Sequence, residues 1–207
     1  MSETNVGLLN STIGVQDGPI ALARDSAQLI SLAHHKNVEA ARLARTFSVV
    51  TPAAGVAPGT ALSTTPPLTL YNPQNSGVGL ALIRAAMGYV SGTLGKGTLV
   101  LGANPSLIQA APSGGTQLTP QCSYMGFTTG RALAYQGATL AAAPSLVEPL
   151  FIFGAWVGSA DDLHSLERKW EGTNLLAPGT SVSLQGIAAA GSSPLVLLFL
   201  EWEEIPL

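Results

Sequence analysis

The chain is a series of short apolar runs, most no longer than a strand, cut apart by glycine, proline and asparagine. The runs are Leu68–Tyr71, Val78–Val90, Thr98–Leu101, Ser123–Phe127, Arg131–Tyr135, Leu146–Val157, Ser181–Gln185 and Leu195–Trp202. Between them stand Asn72-Pro73, Asn75-Ser76-Gly77, Ser91-Gly92, Asn104-Pro105, Ser113-Gly114-Gly115, Pro178-Gly179 and Gly191-Ser192-Ser193-Pro194. Each break is turn chemistry, because glycine accepts a positive φ, proline presets a negative one, and asparagine or serine can bond its own backbone. Many short strands at this spacing predict an antiparallel β-sandwich.

Residues 1–26 are polar and without sustained periodicity, and read as an arm that orders only against a partner. Residues 27–207 are assigned to the sandwich. Gln28–Ala33 suits a strand, and His34-His35-Lys36-Asn37 a polar turn. Val38–Arg45 is open to two readings: a short helix, from its propensity, or the return strand of a hairpin running into Phe47. Its β-like neighbours tip the choice toward the strand. Residues 51–67 hold four prolines, which exclude a helix interior or a central strand, and form a connection. In the last run Val196, Leu198, Leu200 and Trp202 share one face. Leu195, Leu197 and Phe199 share the other, which gives way to Glu201 and Glu203 and needs cover over its apolar half. Asp161 to Glu171 gathers acidic and basic residues and is expected as a surface loop or single helical turn, with Trp170 exposed in it as a partner contact.

Charge is scarce and oddly placed. From Ala40 to Val147 there is no aspartate or glutamate, and the charges are Arg42, Arg45, Arg84, Lys96 and Arg131. General acid–base and hard-metal chemistry draw on positioned carboxylates and histidines, so the chain is expected to be an assembly element and not an enzyme. Charged residues are 10% of the chain, against about a quarter usually. A surface so bland is expected to be covered in part by other subunits, since interface cores are depleted of charge. A net charge of −3 and a pI near 5.5 argue against a nucleic-acid partner. No apolar stretch approaches the ~18 residues of a membrane helix, and the first residues lack the basic and apolar regions of a secretory signal. Synthesis in the cytoplasm of a host is therefore expected. Cys122, the single cysteine, is expected as a small buried apolar group.

The remaining constellations are weak. Gly92-Thr93-Leu94-Gly95-Lys96-Gly97-Thr98 lacks the spacing of a phosphate loop and reads as a tight turn. His164 with Asp161 or Asp162 has no nucleophile-elbow serine to serve. His34 and His35 are adjacent and would point apart on a strand, leaving a metal shared between symmetry-related copies as a minor reading. No catalytic, cofactor or metal residues are assigned. Aromatics sit mostly in strand-like runs and are expected in the core, which leaves a sugar platform as the lesser use of the tryptophans and tyrosines.

Leu70-Tyr71-Asn72-Pro73-Gln74-Asn75-Ser76-Gly77-Val78-Gly79-Leu80, followed by Tyr89 to Gly95, resembles the small virion proteins of tailed phages. So do the blocks Glu171–Thr180 and Leu184–Gly191, and the ending Glu201-Trp202-Glu203-Glu204-Ile205-Pro206. The resemblance covers roughly residues 28–207 and implies a jelly-roll-like sandwich, with an extended N-terminal arm, that decorates or cements a phage capsid as a homotrimer. The partners it implies are further copies of the chain and the phage major capsid protein, and the place is the capsid surface. On this basis Tyr71, Asn72 and Tyr89 are expected at the trimer contact, and the arm with Arg42 and Arg45 at the capsid. A receptor- or glycan-binding spike or fibre head on a similar sandwich is the alternative.

Overall fold

In the computed structural model, residues 37–106, 110–127, 130–154, 156–157, 166–170 and 173–207 are described. The arm 1–26, the run Gln28–Ala33, His34, His35 and the Asp161–His164 group lie outside them.

The final strand organises the molecule. In β14 (Leu195–Pro206) the even-numbered side chains Val196, Leu198, Leu200 and Trp202 are fully buried, as strict alternation demands. Its long antiparallel partner is β3 (Val78–Ser91). In β3 the inward set changes parity, from Val78, Leu80 and Leu82 to Ala85 and Met87. The register explains the change: Glu201 faces Arg84 but Trp202 faces Leu82, so Ile83 is an extra residue. A second bulge leaves Val90 over, between the pairs Val196–Tyr89 and Leu195–Ser91. Each bulge re-aims the strand by one residue, and the first keeps the apolar side chains on both sides of it on the core.

Around this pair the first sheet runs β11-β3-β14-β1-β7, formed by β11 (Leu166–Lys169), β1 (Thr46–Val50) and β7 (Gln121–Cys122), with β12 (Leu175–Leu176) also on β3. The second sheet runs β6-β8-β2-β13-β5-β9. Its strands are β6 (Thr116–Leu118), β8 (Leu133–Gln136), β2 (Leu68–Tyr71), β13 (Ser181–Ile187), β5 (Gly97–Asn104) and β9 (Ser145–Phe153). A further pair joins β10 (Trp156–Val157) to β4 (Thr93–Leu94). All strand pairings are antiparallel among the described residues. One core takes side chains from both sheets: Leu80, Met87, Leu198 and Trp202 from the first, Leu68, Leu70, Leu99 and Leu184 from the second. Each such side chain contributes about 1.5–3 kcal/mol through burial. The chain is thus an all-β antiparallel sandwich.

The 51–67 connection crosses from one sheet to the other and is tied down along its length. Thr51 exchanges bonds with Leu198 through its N–H and hydroxyl, Val56 bridges Val196, Pro58 O accepts from Gly186 N, and Ser63 is bonded both ways by the Gln185 amide. Gly92–Thr98 forms β4, a tight turn and the start of β5. Its glycines serve packing: a Cβ on Gly95 would lie 1.8 Å from Ala190 O, and one on Gly191 1.7 Å from Thr93 O. Two backbones touch there without side chains between them.

Three local expectations are corrected. Val38–Arg42 is a helix, α1, not a strand. It ends in a Schellman arrangement, with Ala44 at φ 53°, Arg45 N donating to Ala40 O, and Ala44 N to Ala41 O. Glu39 and Arg42 pair one turn apart on it. Second, Ser123–Phe127 is not a strand; pairing stops at Cys122 and the chain turns, with Gly126 at φ 100° and Phe127 N donating to Tyr124 O. Third, part of the charged segment is β11, a sheet edge whose Glu167, Arg168 and Lys169 are exposed. Charges on an edge strand discourage pairing with a further strand.

Candidate interaction surfaces

The aromatic and amide residues expected at a subunit contact lie inside the protomer. Tyr71 and Asn72 are buried, at 4% and 0% exposure. The Asn72 side-chain amide donates to Val78 O and Leu176 O, while its backbone bonds Thr180 and Gly179. It therefore brackets three segments at the end of β2. Tyr89 is half-buried against the core and its hydroxyl donates to Gly92 O. Within the single chain the turn-rich motif is an internal splice at Tyr71 and Asn72, while Tyr89 keeps part of its surface open. On the apolar half of the outer face of β14, Phe199 is covered from within the protomer: the Arg84 guanidinium stacks on it, 4.7 Å from the ring centre, and bonds Glu201 at 3.0 Å, while Leu195 and Leu197 are half-buried.

The two arginines expected at the capsid lie near each other in sequence but differ in setting. Arg42 is exposed on α1 and holds the Glu39 carboxylate with two nitrogens, at 2.6 and 2.8 Å. That bond, with a smaller contribution from Tyr124, raises its pKa further. Arg45 is half-buried beside Glu203. Burial raises the Glu203 pKa and the Arg45 charge only partly opposes the rise.

Trp170 was expected exposed and is buried, at 6%. Its indole N–H donates to Glu148 of β9. The same carboxylate accepts from the Asn174 amide at 3.1 Å and from Arg168 at 3.2 Å. Glu148 belongs to the second sheet, Arg168 to β11 of the first, and Trp170 follows that strand. The carboxylate that ends the long acid-free stretch is therefore a clasp between the two sheets at one lateral edge. A second carboxylate does the same elsewhere: Glu204 of β14 accepts from the backbone N–H groups of Arg131 and Ala132, just before β8, at 2.7 and 2.9 Å. Gly130 leaves room for it, since a Cβ there would sit 3.1 Å from Glu204 Oε1.

Two surfaces went unseen in the sequence. Beside the Glu148 clasp a cleft of about 340 Å³ opens between the sheets, lined among others by Leu82, Leu101, Val147, Leu175, Leu176 and Val182. Val147 and Leu175 are 49% and 64% exposed at its rim. At the opposite edge of the first sheet, the turn after β7 holds Tyr124 and Phe127 stacked 4.9 Å apart. Met125 at its tip is 86% exposed. The apolar and aromatic content of Ser123–Phe127 suits a strand, and Gly126, at φ 100°, is the residue that marks the turn. Comparison with protein-family models, curated proteins and solved structures finds no match to this chain.

Proposed function

We propose that the protein is a non-enzymatic virion component, a homotrimer that decorates or cements a phage capsid by bridging neighbouring major capsid subunits. The observation that carries this reading is the outward placement of large apolar side chains at both lateral edges of the sandwich. Leu146, Val147, Ile152 and Leu175 stand at one edge and Met125 and Phe127 at the other, in a chain with 10% charged residues. Apolar area removed from water contributes about 25 cal/mol per Å², and a stable interface takes about 800 Å² from each partner. The mechanism is linkage: a protein that binds only the expanded lattice stabilises it by RT ln(1 + [L]/Kd) at each site. Residues 1–26, with Arg42 and Arg45, are assigned to the capsid side.

Light scattering at micromolar and tenfold lower concentration tests the assembly. A constant mass of three 21.1 kDa chains supports the trimer, and a stable monomer refutes it. Co-sedimentation with emptied phage heads, using the whole protein and a form starting at Ala27, then tests the capsid role; undiminished coating by the shortened form removes the arm from it. The exposed stack of Tyr124 and Phe127 favours a second reading, a glycan-binding head, since sugars stack on such faces. Retention on a glycan array without affinity for heads would establish that reading instead.

A further inference from the structure

A homotrimer with three-fold symmetry must join two different surfaces of each chain, because an interface in which the same patch meets itself closes as a dimer. The sandwich presents two unlike apolar features on opposite edges. One is a projection: Tyr124, Met125 and Phe127 on a turn whose Ser123 N–H is bonded to Thr46 O of β1, so it is held to the sheet. The other is the cleft between β9, β12 and the strands beneath.

We infer that the Met125–Phe127 turn of one copy seats in the Val147–Leu175 cleft of the next, head to tail around the trimer. The inference rests on the homotrimer reading above. Size agrees, since an apolar cavity of roughly 150 Å³ accepts a benzene ring and this cleft has about 340 Å³. Charge agrees as well. Neither the turn from Gln121 to Phe127 nor, among the described residues, the cleft lining contains a charged residue, so seating one in the other takes no ion of these residues out of water. Arg42 is close enough to feel Tyr124 of the turn, and Glu148 follows Val147 and bonds Asn174 of the cleft lining; each is already paired within its own chain, to Glu39 and to Arg168. Docking brings the cation of one copy toward the carboxylate of the next and extends the two pairs into a row of alternating sign.

The test uses two full-length variants at exposed positions, Met125→Glu and Leu175→Glu, each checked for native fold by near-UV circular dichroism. In light scattering each variant alone is expected to fall from three chains to one. Mixed in equal amounts they are expected to give a two-chain species and nothing larger, because one intact turn meets one intact cleft and the ring cannot go on. Variants that remain trimers overturn this inference and leave the trimer reading standing. A parent protein that is itself monomeric overturns both. If that monomer binds anilinonaphthalene sulfonate and Leu175→Glu abolishes the binding, the cleft belongs to a small apolar ligand and not to a second copy.

Discussion

Replacing Glu204 by alanine isolates one of the two carboxylate clasps. Glu204 is 6% exposed, and its Oε1 is the acceptor for Arg131 N and Ala132 N. Alanine leaves both donors without it. Ala132 is buried at 2%, so its N–H bears the penalty of an unpaired buried donor, about 1–3 kcal/mol. Arg131 is exposed, and water replaces part of its bond. The sum is a loss of about 2–4 kcal/mol, or roughly 4–16 °C in midpoint at about 2–4 °C per kcal/mol for a chain of this size. Glutamine keeps an oxygen in place for both donors and should lose only about 1 kcal/mol, the charge-assisted part of the bonds. Urea unfolding followed by tryptophan fluorescence reads both, with Trp202 two residues away. If Glu204→Ala stays within about 0.5 kcal/mol of the parent, the range of an ordinary surface change, the clasp argument is wrong.

Glu148→Ala removes the acceptor for Trp170, Asn174 and Arg168, and about 2 kcal/mol should be lost; hydrogen exchange should quicken in β9 and β12 before the β3–β14 pair. Burial raises the Glu203 pKa, so its ionised form opposes folding, and its favourable contribution is present at low pH and lost as pH rises through that raised value. Glu203→Gln should therefore stabilise slightly near neutral pH, by under about 0.5 kcal/mol given its exposure, with the gain gone on the acid side of the carboxylate range in paired thermal melts. Glu167 runs the opposite way: its bond to Lys169 lowers its pKa, so whatever it contributes is present above its ordinary value and fades with acid, and Lys169→Met should return that pKa toward ordinary in an NMR titration. Gly191→Ala, whose new carbon would fall 1.7 Å from Thr93 O, should cost at least about 1–3 kcal/mol, while Gly154→Ala, with open space around it, should be near neutral by the same assay.

The fold class was legible because alternation and turn chemistry are local. Leu195 to Trp202 declares its two faces in the sequence alone, and the structure keeps them. Val38–Arg42 is helical despite its β-like neighbours; the Glu39–Arg42 spacing and the adjacent Ala40 and Ala41 favour the helix locally. The β3 bulges mark another limit. Leu82 and Ala85 share the core face only because Ile83 is left over against β14, and no period-two rule anticipates where a residue will be skipped. Trp170 fails for a third reason. It sits among charges, and charge normally means solvent, but here Glu148 accepts its N–H from a strand 22 residues away. Contacts of that separation are set by topology, which the sequence pattern does not encode.

The scarcity of carboxylates acquires a structural sense from Glu148 and Glu204. Each bridges the two sheets, the first through side chains at the β9 edge and the second through backbone groups before β8. A carboxylate used this way cannot also hold a protein in solution by surface charge. Away from the charged β11 edge and α1, much of the exterior of the described residues is left to small neutral residues and to apolar side chains such as Met125, Leu175 and Ile152. Such a surface is tolerable where it is covered, because exposed apolar patches on a monomer invite association that nothing limits. In the head-to-tail trimer proposed above, a projection and a cleft on opposite edges would limit it geometrically: each turn and each cleft is occupied once three copies close, so neither is left to extend the assembly.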